Sequence, residues 1–295
     1  MTNAPLKISI VTPSYNQGEY LENTLNSVLD QDYPNLEYVV IDGGSQDESP
    51  AIIEKYQQRL HYSVSEADNG HGDALNKGFR QTSGEIMGWL NSDDMYTPWS
   101  LKVVSEIFTR FPHVDWIVGC NSWWNANGEM LRARQKPMNI YDYLLGNYRW
   151  IQQESVFWRR RLWEDSGACI NEDYRFMVDG ELWTRFFPHA PLHILDCVVG
   201  GYRQHTENRA HLNKQACIDE IENAISMMRK HCSKDVQKNY TLLRLLKPLS
   251  YSKDFNSALS KLVFSRDRFG FASYPNITWE GGKWVEKKIP YSYKR

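Results

Sequence analysis

The sequence predicts an α/β fold with a mostly parallel central sheet, helices on both faces, and a helical, basic C-terminal extension. Three observations lead to this prediction. Strand-like and helix-like segments alternate through the first 120 residues, polar clusters follow the strand-like segments, and basic residues are concentrated near the C-terminus. An alternating strand–helix order is typical of parallel sheets, because each helix returns the chain to the edge where the next strand starts. The 295 residues, 41% of them hydrophobic, can build a substantial core.

The elements of the first 120 residues follow from their apolar patterns. Four short apolar runs predict strands: LKISIVTP, LEYVVID, GEIMGWL and VDWIVGC. The segment YLENTLNSVLDQ predicts a helix, because it carries Leu21, Leu25, Val28 and Leu29 at helical spacing. Three further helices are predicted over SPAIIEKYQQRL, GDALNKGFRQT and PWSLKVVSEIFTRF.

The pattern becomes less regular after residue 120. WWNANGEML predicts a hairpin, because NANG offers turn residues between apolar flanks. QQESVFW predicts a strand, DGELWTRF a short helix, and LHILDCVVGGYRQH one or two strands. After residue 212 the pattern is helical over QACIDEIENAISMMRKHC and then basic and aromatic to the end. We therefore expect a main domain over residues 1–210, with halves at 1–120 and 121–210, and an extension over 211–295.

The charge distribution limits the possible partners. The net charge is −2, but residues 228–295 hold 15 Lys and Arg against 5 Asp and Glu, so the rest of the chain is acidic. We expect no nucleic-acid binding, because the acidic part would repel the phosphate backbone. The basic C-terminus is either a solvated helical face or a surface for peripheral contact with an anionic membrane.

Cysteine usage and hydropathy indicate the compartment. The five cysteines are odd in number and scattered without a CxxC pair, which is typical of reduced thiols in a cytosolic protein. The segment MTNAPLKISIVTP lacks a signal-peptide pattern, and no apolar run reaches the roughly 18 residues that span a membrane. We expect a cytoplasmic protein that can contact the inner face of the membrane.

The residues that follow the predicted strands are candidate binding residues, because ligands of open α/β sheets bind at the carboxyl ends of the strands. They are Pro13, Ser14, Tyr15, Asp42, Ser45, Asn91, Ser92, Asp93 and Asp94, joined by Asp73, Asn76 and Lys77 from EADNGHGDALNKG. Such a set suits a polar ligand that bears phosphates. DGGS alone also fits a simple tight turn, and it is not the G-x-G-x-x-G of dinucleotide sites.

Asp93 and Asp94 stand side by side after a predicted buried strand, where their charges repel unless a cation lies between them. Mg²⁺ or Mn²⁺ favours such carboxylates and completes its six ligands with phosphate oxygens and water. The alternative is that the two acids cap the next helix, although they precede it by several residues. The pair therefore predicts a divalent cation as cofactor.

Two long segments together resemble the family 2 glycosyltransferases, which have the GT-A fold. These are SIVTPSYNQGEYLENTLNSVLDQDYPNLEYVVIDGGSQDES and GDALNKGF followed by TSGEIMGWLNSDD, and the resemblance is dense over about 1–120 and thin to about 209. It implies a GT-A catalytic domain over 1–210, whose first half binds the nucleotide sugar and whose second half faces the acceptor. It also implies a hexosyltransferase that uses a nucleoside-diphosphate sugar, often for bacterial surface polysaccharide on lipid-linked intermediates.

The resemblance assigns roles to the strand-end residues. Pro13, Ser14, Tyr15, Asp42 and Ser45 match the loops that bind base and ribose, and Asn76 and Lys77 match the stretch near ribose and phosphates. The metal motif is usually Asp-x-Asp. Here Asn91 takes the first position and Asp93 the second, which leaves open whether Asp93 or Asp94 is the main ligand.

Two later motifs complete the resemblance. RFMVDGELWTRF resembles the segment whose first acid is the general base of inverting members, which implies that role for Asp179; from the residues alone it reads as a surface carboxylate. GGYRQHTENRA resembles a Tyr-Arg-x-His pattern, in which His205 approaches the metal and Arg203 neutralises phosphate charge. A lone histidine is more often structural than a ligand. The polar run from Gln152 to Glu154 enters a strand as candidate contacts of the transferred sugar.

The resulting hypothesis is an inverting, metal-dependent transfer of a sugar to an acceptor hydroxyl, on a sugar or a lipid-linked saccharide. Two alternatives remain. A nucleotidyltransferase or phosphate-ester hydrolase would need a glycine-rich, lysine-bearing phosphate loop, which TPSYNQGEY is not. A non-catalytic sugar- or nucleotide-binding module would need neither the acid at 179 nor the pair at 93–94.

Overall fold

A computed structural model of the protein describes residues 4–146, 151–205, 213–246 and 273–290. Its strands are β1 (Ile8–Ser14), β2 (Leu36–Asp42), β3 (Tyr62–Ser65), β4 (Ile86–Trp89), β5 (Met95–Tyr96), β6 (Trp116–Val118), β7 (Asn121–Trp124), β8 (Met130–Arg134), β9 (Val156–Arg159), β10 (His193–Leu195), β11 (Gly200–Arg203), β12 (Ser273–Glu280) and β13 (Lys283–Pro290). Its α-helices are α1 (Gly18–Leu29), α2 (Ser49–Tyr56), α3 (His71–Phe79), α4 (Ser100–Arg110), α5 (Ile140–Leu144), α6 (Arg160–Asp165), α7 (Val178–Phe186), α8 (Lys214–His231) and α9 (Lys234–Leu246).

The predicted α/β fold with a mostly parallel sheet is confirmed. Nine strands form one sheet in the order β13-β12-β10-β6-β9-β4-β1-β2-β3. Within it only β9 and β13 run antiparallel to their neighbours. A second sheet of four strands, β5-β11-β7-β8, places β11 beside β5, which directly follows the acidic pair. The carboxyl ends of β1, β2 and β4 therefore face one edge, as the binding-site prediction requires.

Helices cover both faces of the large sheet, as predicted. Alternate residues of a strand point to opposite faces. In β2, Tyr38 and Val40 belong to a core shared with α1, α2 and α4, whereas Val39 and Ile41 belong to a core shared with α3, α7 and α8. Apolar burial on both faces holds the strand ends in place.

The middle of the chain differs from the prediction in detail. The hairpin over WWNANGEML is confirmed as β7 and β8, and LHILDCVVGGYRQH forms two strands, β10 and β11. QQES is a 3₁₀ turn over Gln153–Ser155 that precedes β9, rather than part of the strand. Two short strands, β3 and β5, were not predicted, because neither has enough residues to show a periodic apolar pattern.

The C-terminal extension was predicted to be helical and basic, and residues 273–290 within it form two strands instead. α8 and α9 confirm the helices, but β12 and β13 form a hairpin that joins the large sheet through β10. Its turn, Gly281–Gly282, has φ values of +57° and +79°, as two-residue hairpin turns require. The division at residues 120 and 210 stays a prediction, and strands from both sides of 210 share this sheet. Residues 206–209 of the predicted thin resemblance, and 247–272 and 291–295 of the extension, lie outside the described residues.

Helix α8 supports the segment that leads into α7. Glu220 of α8 accepts hydrogen bonds from the backbone N–H groups of Arg175, Phe176 and Met177, at 3.0, 2.9 and 2.8 Å. A carboxylate at a helix start satisfies donors that have no partner inside the helix. A Cβ at Gly180 would lie 2.8 Å from a side chain of α8, so the two helices are in close contact.

Within the described residues, no helix combines the length and apolar character that a membrane crossing needs.

Candidate active site

The loops after β1 and β2 are joined at the sheet edge. Asp42 is fully buried, and its carboxylate accepts hydrogen bonds from Ser45 N (2.9 Å), Ser45 Oγ and Ser65 Oγ (2.7 Å). Ser45 Oγ also accepts a hydrogen bond from Asn16 N (2.7 Å), which ties the first loop to the second. Tyr15, beside them, is 62% exposed. An exposed ring next to a rigid polar loop is a surface on which a planar base can stack.

Five buried oxygen atoms at this edge form no hydrogen bond within the described part of the chain. They are Ser14 Oγ, Gln17 Oε1, Gln152 Oε1, Gln153 Oε1 and Glu154 Oε1. Ser14 and Pro13 end β1, and Gln153 Nε2 donates to the carbonyl oxygen that ends β4. Buried polar atoms are normally paired, so unpaired ones at a sheet edge favour a polar ligand or water.

Lys77 and Asp73 lie near the same edge on α3. Lys77 Nζ is 3.1 Å from Glu66 Oε1 and 3.5 Å from Asp73 Oδ2. The hydrogen bond to Glu66 raises the pKa of Lys77, so the ammonium is charged at neutral pH. Because the side chain of Glu66 is exposed, the ammonium of Lys77 can exchange this carboxylate for the oxygens of a phosphate.

Asn76 is engaged with the chain itself. Its Nδ2 donates to Ile170 O (3.0 Å) and Glu172 Oε1 (2.7 Å), and its Oδ1 accepts from Ile170 N (2.8 Å). These three bonds hold the loop at 170–172 against α3. Contact of Asn76 with a donor stays a prediction, and its observed role is to position this loop.

We expect Asn76→Ala to lower the free energy of unfolding by about 1–3 kcal/mol, because a buried backbone N–H and C=O would lose their partners. Denaturant unfolding of both proteins measures this loss, and nucleotide titration of the folded variant measures any effect on ligand binding. Asn23→Ala, at an exposed position of α1, is the control and should stay within about 0.5 kcal/mol of wild type. Equal stabilities of the Asn76 and Asn23 variants would contradict the loop-holding role.

The acidic residues follow β4 in a tight turn. Asp94 N donates to Asn91 O (3.0 Å), and Thr24 Oγ1 of α1 lies 2.8 and 2.7 Å from the carbonyl oxygens of Ser92 and Asp94. Helix α4 begins only at Ser100, so neither aspartate caps it. The capping alternative is therefore excluded.

The two aspartates have different surroundings. Asp94 is 1% exposed, and its Oδ1 accepts a hydrogen bond from Arg203 N (2.9 Å). Burial, with the Asp93 and Glu154 carboxylates nearby, raises the pKa of Asp94 well above its usual value. The side chain of Asp93 is 23% exposed, and its Oδ2 lies 3.0 Å from His205 Nε2. The carboxylate that an entering ligand can reach is that of Asp93.

Tyr20 of α1 contacts two basic side chains, that of Arg203 at the end of β11 and that of His205 just after it. Its ring centroid lies 4.7 Å from that of His205 and 5.1 Å from the guanidinium carbon of Arg203. Burial lowers the pKa of Arg203, an effect that the nearby Asp94 and Asp93 oppose. Sequence reasoning missed Tyr20, because its spacing reads as an ordinary core position of α1. No signal in a single sequence distinguishes it.

Two further carboxylates converge on the acidic turn. Asp179 lies in the first turn of α7, and burial raises its pKa to about 6. Burial also raises the pKa of Glu154 to about 8, with a smaller contribution from Asp179 and Asp93. A Cβ at Gly200 would lie 2.0 Å from Glu154 O, so only glycine lets β11 pass this close. Carboxylates from three distant segments thus influence one another's protonation.

A tryptophan pair positions Asp179 relative to the acidic turn. Trp89 ends β4, immediately before the turn, and Trp183 lies one helical turn after Asp179 on α7. The two indole rings stack with centroids 5.8 Å apart and planes 11° apart. Stacked, fully buried rings fix the distance between β4 and α7. The same contact therefore sets the separation between Asp93 and Asp179.

The residues at the acidic turn fit a divalent cation. Asp93 and His205 offer an oxygen and a nitrogen ligand beside each other, and Glu154 presents a buried oxygen that accepts no hydrogen bond within the described residues. The mutual repulsion of Asp93, Asp94 and Glu154 would be relieved by a positive charge. Phosphate oxygens and water would have to complete the coordination.

Comparison with known proteins finds one family for this chain. The family model described as "Glycosyl transferase family 2" matches residues 9–164. An uncharacterized glycosyltransferase of Rickettsia prowazekii (strain Madrid E), RP339, is 34% identical over 241 residues, covering 77% of this chain and 73% of the relative. Three other uncharacterized glycosyltransferases align over only 34%, 37% and 33% of their own lengths, so the chain spans about a third of those relatives.

Solved structures show the same fold. Staphylococcus aureus TarS 1-349 in complex with UDP-GlcNAc has a TM-score of 0.65 at 19% identity, covering 88% of this chain and 76% of that one. The curated sequence of TarS, a poly(ribitol-phosphate) beta-N-acetylglucosaminyltransferase, is 35% identical over 102 residues, which is 33% of this chain and 18% of TarS. The mannosyltransferase PcManGT of Pyrobaculum calidifontis, in complex with GDP-Man and Mn²⁺, has a TM-score of 0.54 at 17% identity, covering 87% of this chain and 84% of that one. The GT-A expectation for the fold is confirmed.

Proposed function

The chain belongs to glycosyl transferase family 2, and on that basis we propose that it is an inverting, metal-dependent glycosyltransferase. In this proposal it moves a sugar from a nucleoside-diphosphate sugar to the hydroxyl of an acceptor. The observation that carries the proposal is the 3.0 Å contact between Asp93 and His205, which are 112 residues apart in the sequence. Family membership disfavours the nucleotidyltransferase and the non-catalytic binding module.

Asp179 is the general base in this proposal. Its raised pKa of about 6 leaves it ionised at neutral pH but close enough to neutrality to take a proton efficiently. It would accept the proton of the acceptor hydroxyl while that oxygen attacks the anomeric carbon from the face opposite the leaving diphosphate. This single displacement inverts the anomeric centre and needs no covalent enzyme intermediate.

Asp93 and His205 are the proposed protein ligands of the cation. When bound, Mn²⁺ or Mg²⁺ supplies charge neutralisation on the leaving diphosphate. The reach of Asp93 and the burial of Asp94 make Asp93 the proposed main ligand. Asp94 instead orders the β11 backbone through the Arg203 N–H. Arg203 adds fixed positive charge behind the acidic turn.

The donor is proposed to lie along the carboxyl ends of the strands. Tyr15 would stack on the base, Asp42 and Ser45 would contact base and ribose, and Lys77 would bind a phosphate. The buried acceptor oxygens of Gln152, Gln153 and Glu154 support a hydroxyl-rich ligand, because sugar hydroxyls donate hydrogen bonds. TarS in its UDP-GlcNAc complex makes UDP sugars the first donors to test.

For the acceptor and the cellular role, we propose only a general class. TarS is named for transfer to poly(ribitol phosphate), which supports a role in bacterial surface polysaccharide biosynthesis on a saccharide or lipid-linked acceptor. The basic C-terminus, with 15 Lys and Arg in residues 228–295, supports peripheral contact of a cytoplasmic protein with anionic lipid.

Thermal unfolding with nucleotides tests the proposal. We expect UDP, GDP or dTDP to raise the melting temperature more with Mn²⁺ than without it. The reason is that a cation and a diphosphate that bind in contact in one site stabilise the folded protein jointly. A panel of sugar nucleotides with Mn²⁺ should then show release of the matching nucleoside diphosphate. Indifference to every nucleotide, with or without Mn²⁺, would contradict the proposal, and nucleotide binding without any release would favour a binding module.

A further inference from the structure

A second group of possible metal ligands lies at the opposite end of the sheet from the catalytic carboxylates. It consists of His113, in the connection between α4 and β6, His193, the first residue of β10, and Glu286 of β13. β10 and β6 run parallel, so His193 marks their amino ends, whereas the acidic turn follows the carboxyl end of β4. Within the described residues, this trio brings three ligand atoms within 4.8 Å of one another.

The register of the strands places this trio together. β12 pairs with both β10 and β13. Ile277 of β12 lies opposite Leu195 of β10 on one side and opposite Glu286 of β13 on the other. Paired residues share a face, and His193 shares the face of Leu195 because it lies two residues away. His193 and Glu286 are therefore diagonal neighbours on one face. His113 reaches them from the connection that packs over the same face.

The distances agree with shared coordination. Glu286 Oε1 lies 3.4 Å from His193 Nε2, and Glu286 Oε2 lies 2.8 Å from His113 Nε2. Two ligand atoms on tetrahedral zinc, with bonds of about 2.0 Å, are separated by about 3.3 Å. Glu286 is 34% exposed and His113 is 60% exposed, so both side chains can adjust. His193 is only 4% exposed and provides the fixed position.

The backbone orients His193 within the trio. Its Nδ1 lies 3.3 Å from Pro191 O, and its Nε2 lies 3.4 Å from Glu286 Oε1. In known metal sites, a backbone contact at one ring nitrogen orients a histidine whose other nitrogen binds the metal. The ring of His193 is therefore positioned to offer Nε2 to a cation beside Glu286.

We propose that His113, His193 and Glu286 bind a Zn²⁺ ion, with water as the fourth ligand. Two histidines and one glutamate are an established ligand set for tetrahedral zinc. The site would fasten the C-terminal hairpin to the sheet, where pairing with β10 extends over only two residue pairs. It is separate from the cation proposed at Asp93 and has a structural role, since no described feature of the donor-binding edge lies beside it.

Zinc content and thermal unfolding of the full, tag-free chain test this site. After EDTA treatment, incubation with ZnSO₄ and desalting, we expect about one zinc ion per chain. That ion should persist in Asp93→Asn and be lost in His113→Ala and Glu286→Gln. The zinc affinity of these two variants should fall at least about 100-fold, because the loss of a direct ligand exceeds the usual loss from a residue that only supports a ligand. His61→Ala, at an exposed position by the opposite sheet edge, is the matched control and should keep the ion.

Hydrogen exchange distinguishes this site from adventitious surface binding. Zinc should slow amide exchange in β12 and β13 of the wild type, leave β1 and β2 unchanged, and have no effect on the hairpin of His113→Ala. A wild type that retains no zinc would overturn the proposal and leave the trio as proton-sharing ion pairs. Zinc retained equally by wild type, His113→Ala and Glu286→Gln would overturn it as well.

Discussion

Asp179→Asn is expected to reduce the rate of sugar transfer by about 10²–10⁴-fold while nucleotide binding persists. The amide cannot accept the proton of the acceptor hydroxyl, and it leaves the residues proposed to hold the donor unchanged. Transfer is measured as product formed from the active sugar nucleotide, and binding as the thermal shift caused by the matching nucleoside diphosphate. Near-normal turnover in this variant would remove Asp179 as the base.

The protonation of Asp179 provides two further readouts of the same change. Because the base must be ionised, kcat/KM of the wild type should fall about tenfold per pH unit below pH 6. Folding raises the pKa from 3.8 to about 6, so this carboxylate disfavours the folded state as pH rises through that window. Asp179→Asn should therefore match or exceed the wild-type melting temperature at pH 7, which separates lost chemistry from unfolding. Asp173→Asn, an exposed acid just before α7, is the control and should keep full activity.

Asp93→Asn is expected to reduce transfer by about 10²-fold or more and to abolish the joint stabilisation by Mn²⁺ and nucleoside diphosphate. The substitution removes the accessible charge beside His205. Thermal unfolding with nucleotide alone, Mn²⁺ alone and both together measures the joint effect without relying on activity. Persistence of the full joint effect would show that Asp93 is not the main ligand.

Asp94→Asn is the matched comparison for Asp93→Asn, because the two residues are adjacent but differ in burial. Its amide oxygen can still accept the Arg203 N–H bond, and the substitution removes a carboxylate whose pKa is raised well above its usual value by burial and by Asp93 and Glu154. A raised pKa means that the ionised carboxylate disfavours the folded state, so we expect a melting temperature at neutral pH that matches or exceeds that of the wild type, with the joint effect of Mn²⁺ and nucleotide retained. The opposite pattern, with the joint effect lost at Asp94 and kept at Asp93, would exchange their roles.

The sequence predicted which residues belong to the candidate site, but it did not predict the separate role of each residue. The strand-end argument predicted that Asp42 and Asp93 lie at one edge, because the carboxyl ends of parallel strands share an edge. The role of Asp179 was predicted only by the family resemblance. The sequence left Asp93 and Asp94 equivalent, because adjacent residues in a turn carry no sign of which one is buried. Asn76 looked like a ligand contact, since a polar residue on a helix shows no preference between ligand and loop.

The Gly281–Gly282 pair is a local hairpin signal that the prediction for the C-terminus did not use. Two consecutive glycines between alternating residues favour a hairpin, yet the surrounding basic charge suggested a solvated helix. Its placement beside β10 depends on a partner strand about 80 residues away.

The sequence by itself determined the α/β class, the family and the edge of the sheet where we propose that the donor binds, because these depend on local periodicity and on ordered motifs after the strands. The tertiary structure alone decided which carboxylates are buried, which histidine meets which acid, and how Trp89 and Trp183 set the spacing between β4 and α7. Burial and long-range pairing are properties of the packed chain, and they raise the pKa values of Glu154 and Asp179. A carboxylate becomes a base or a buried support through what packs around it, and that information is absent from its neighbours in sequence.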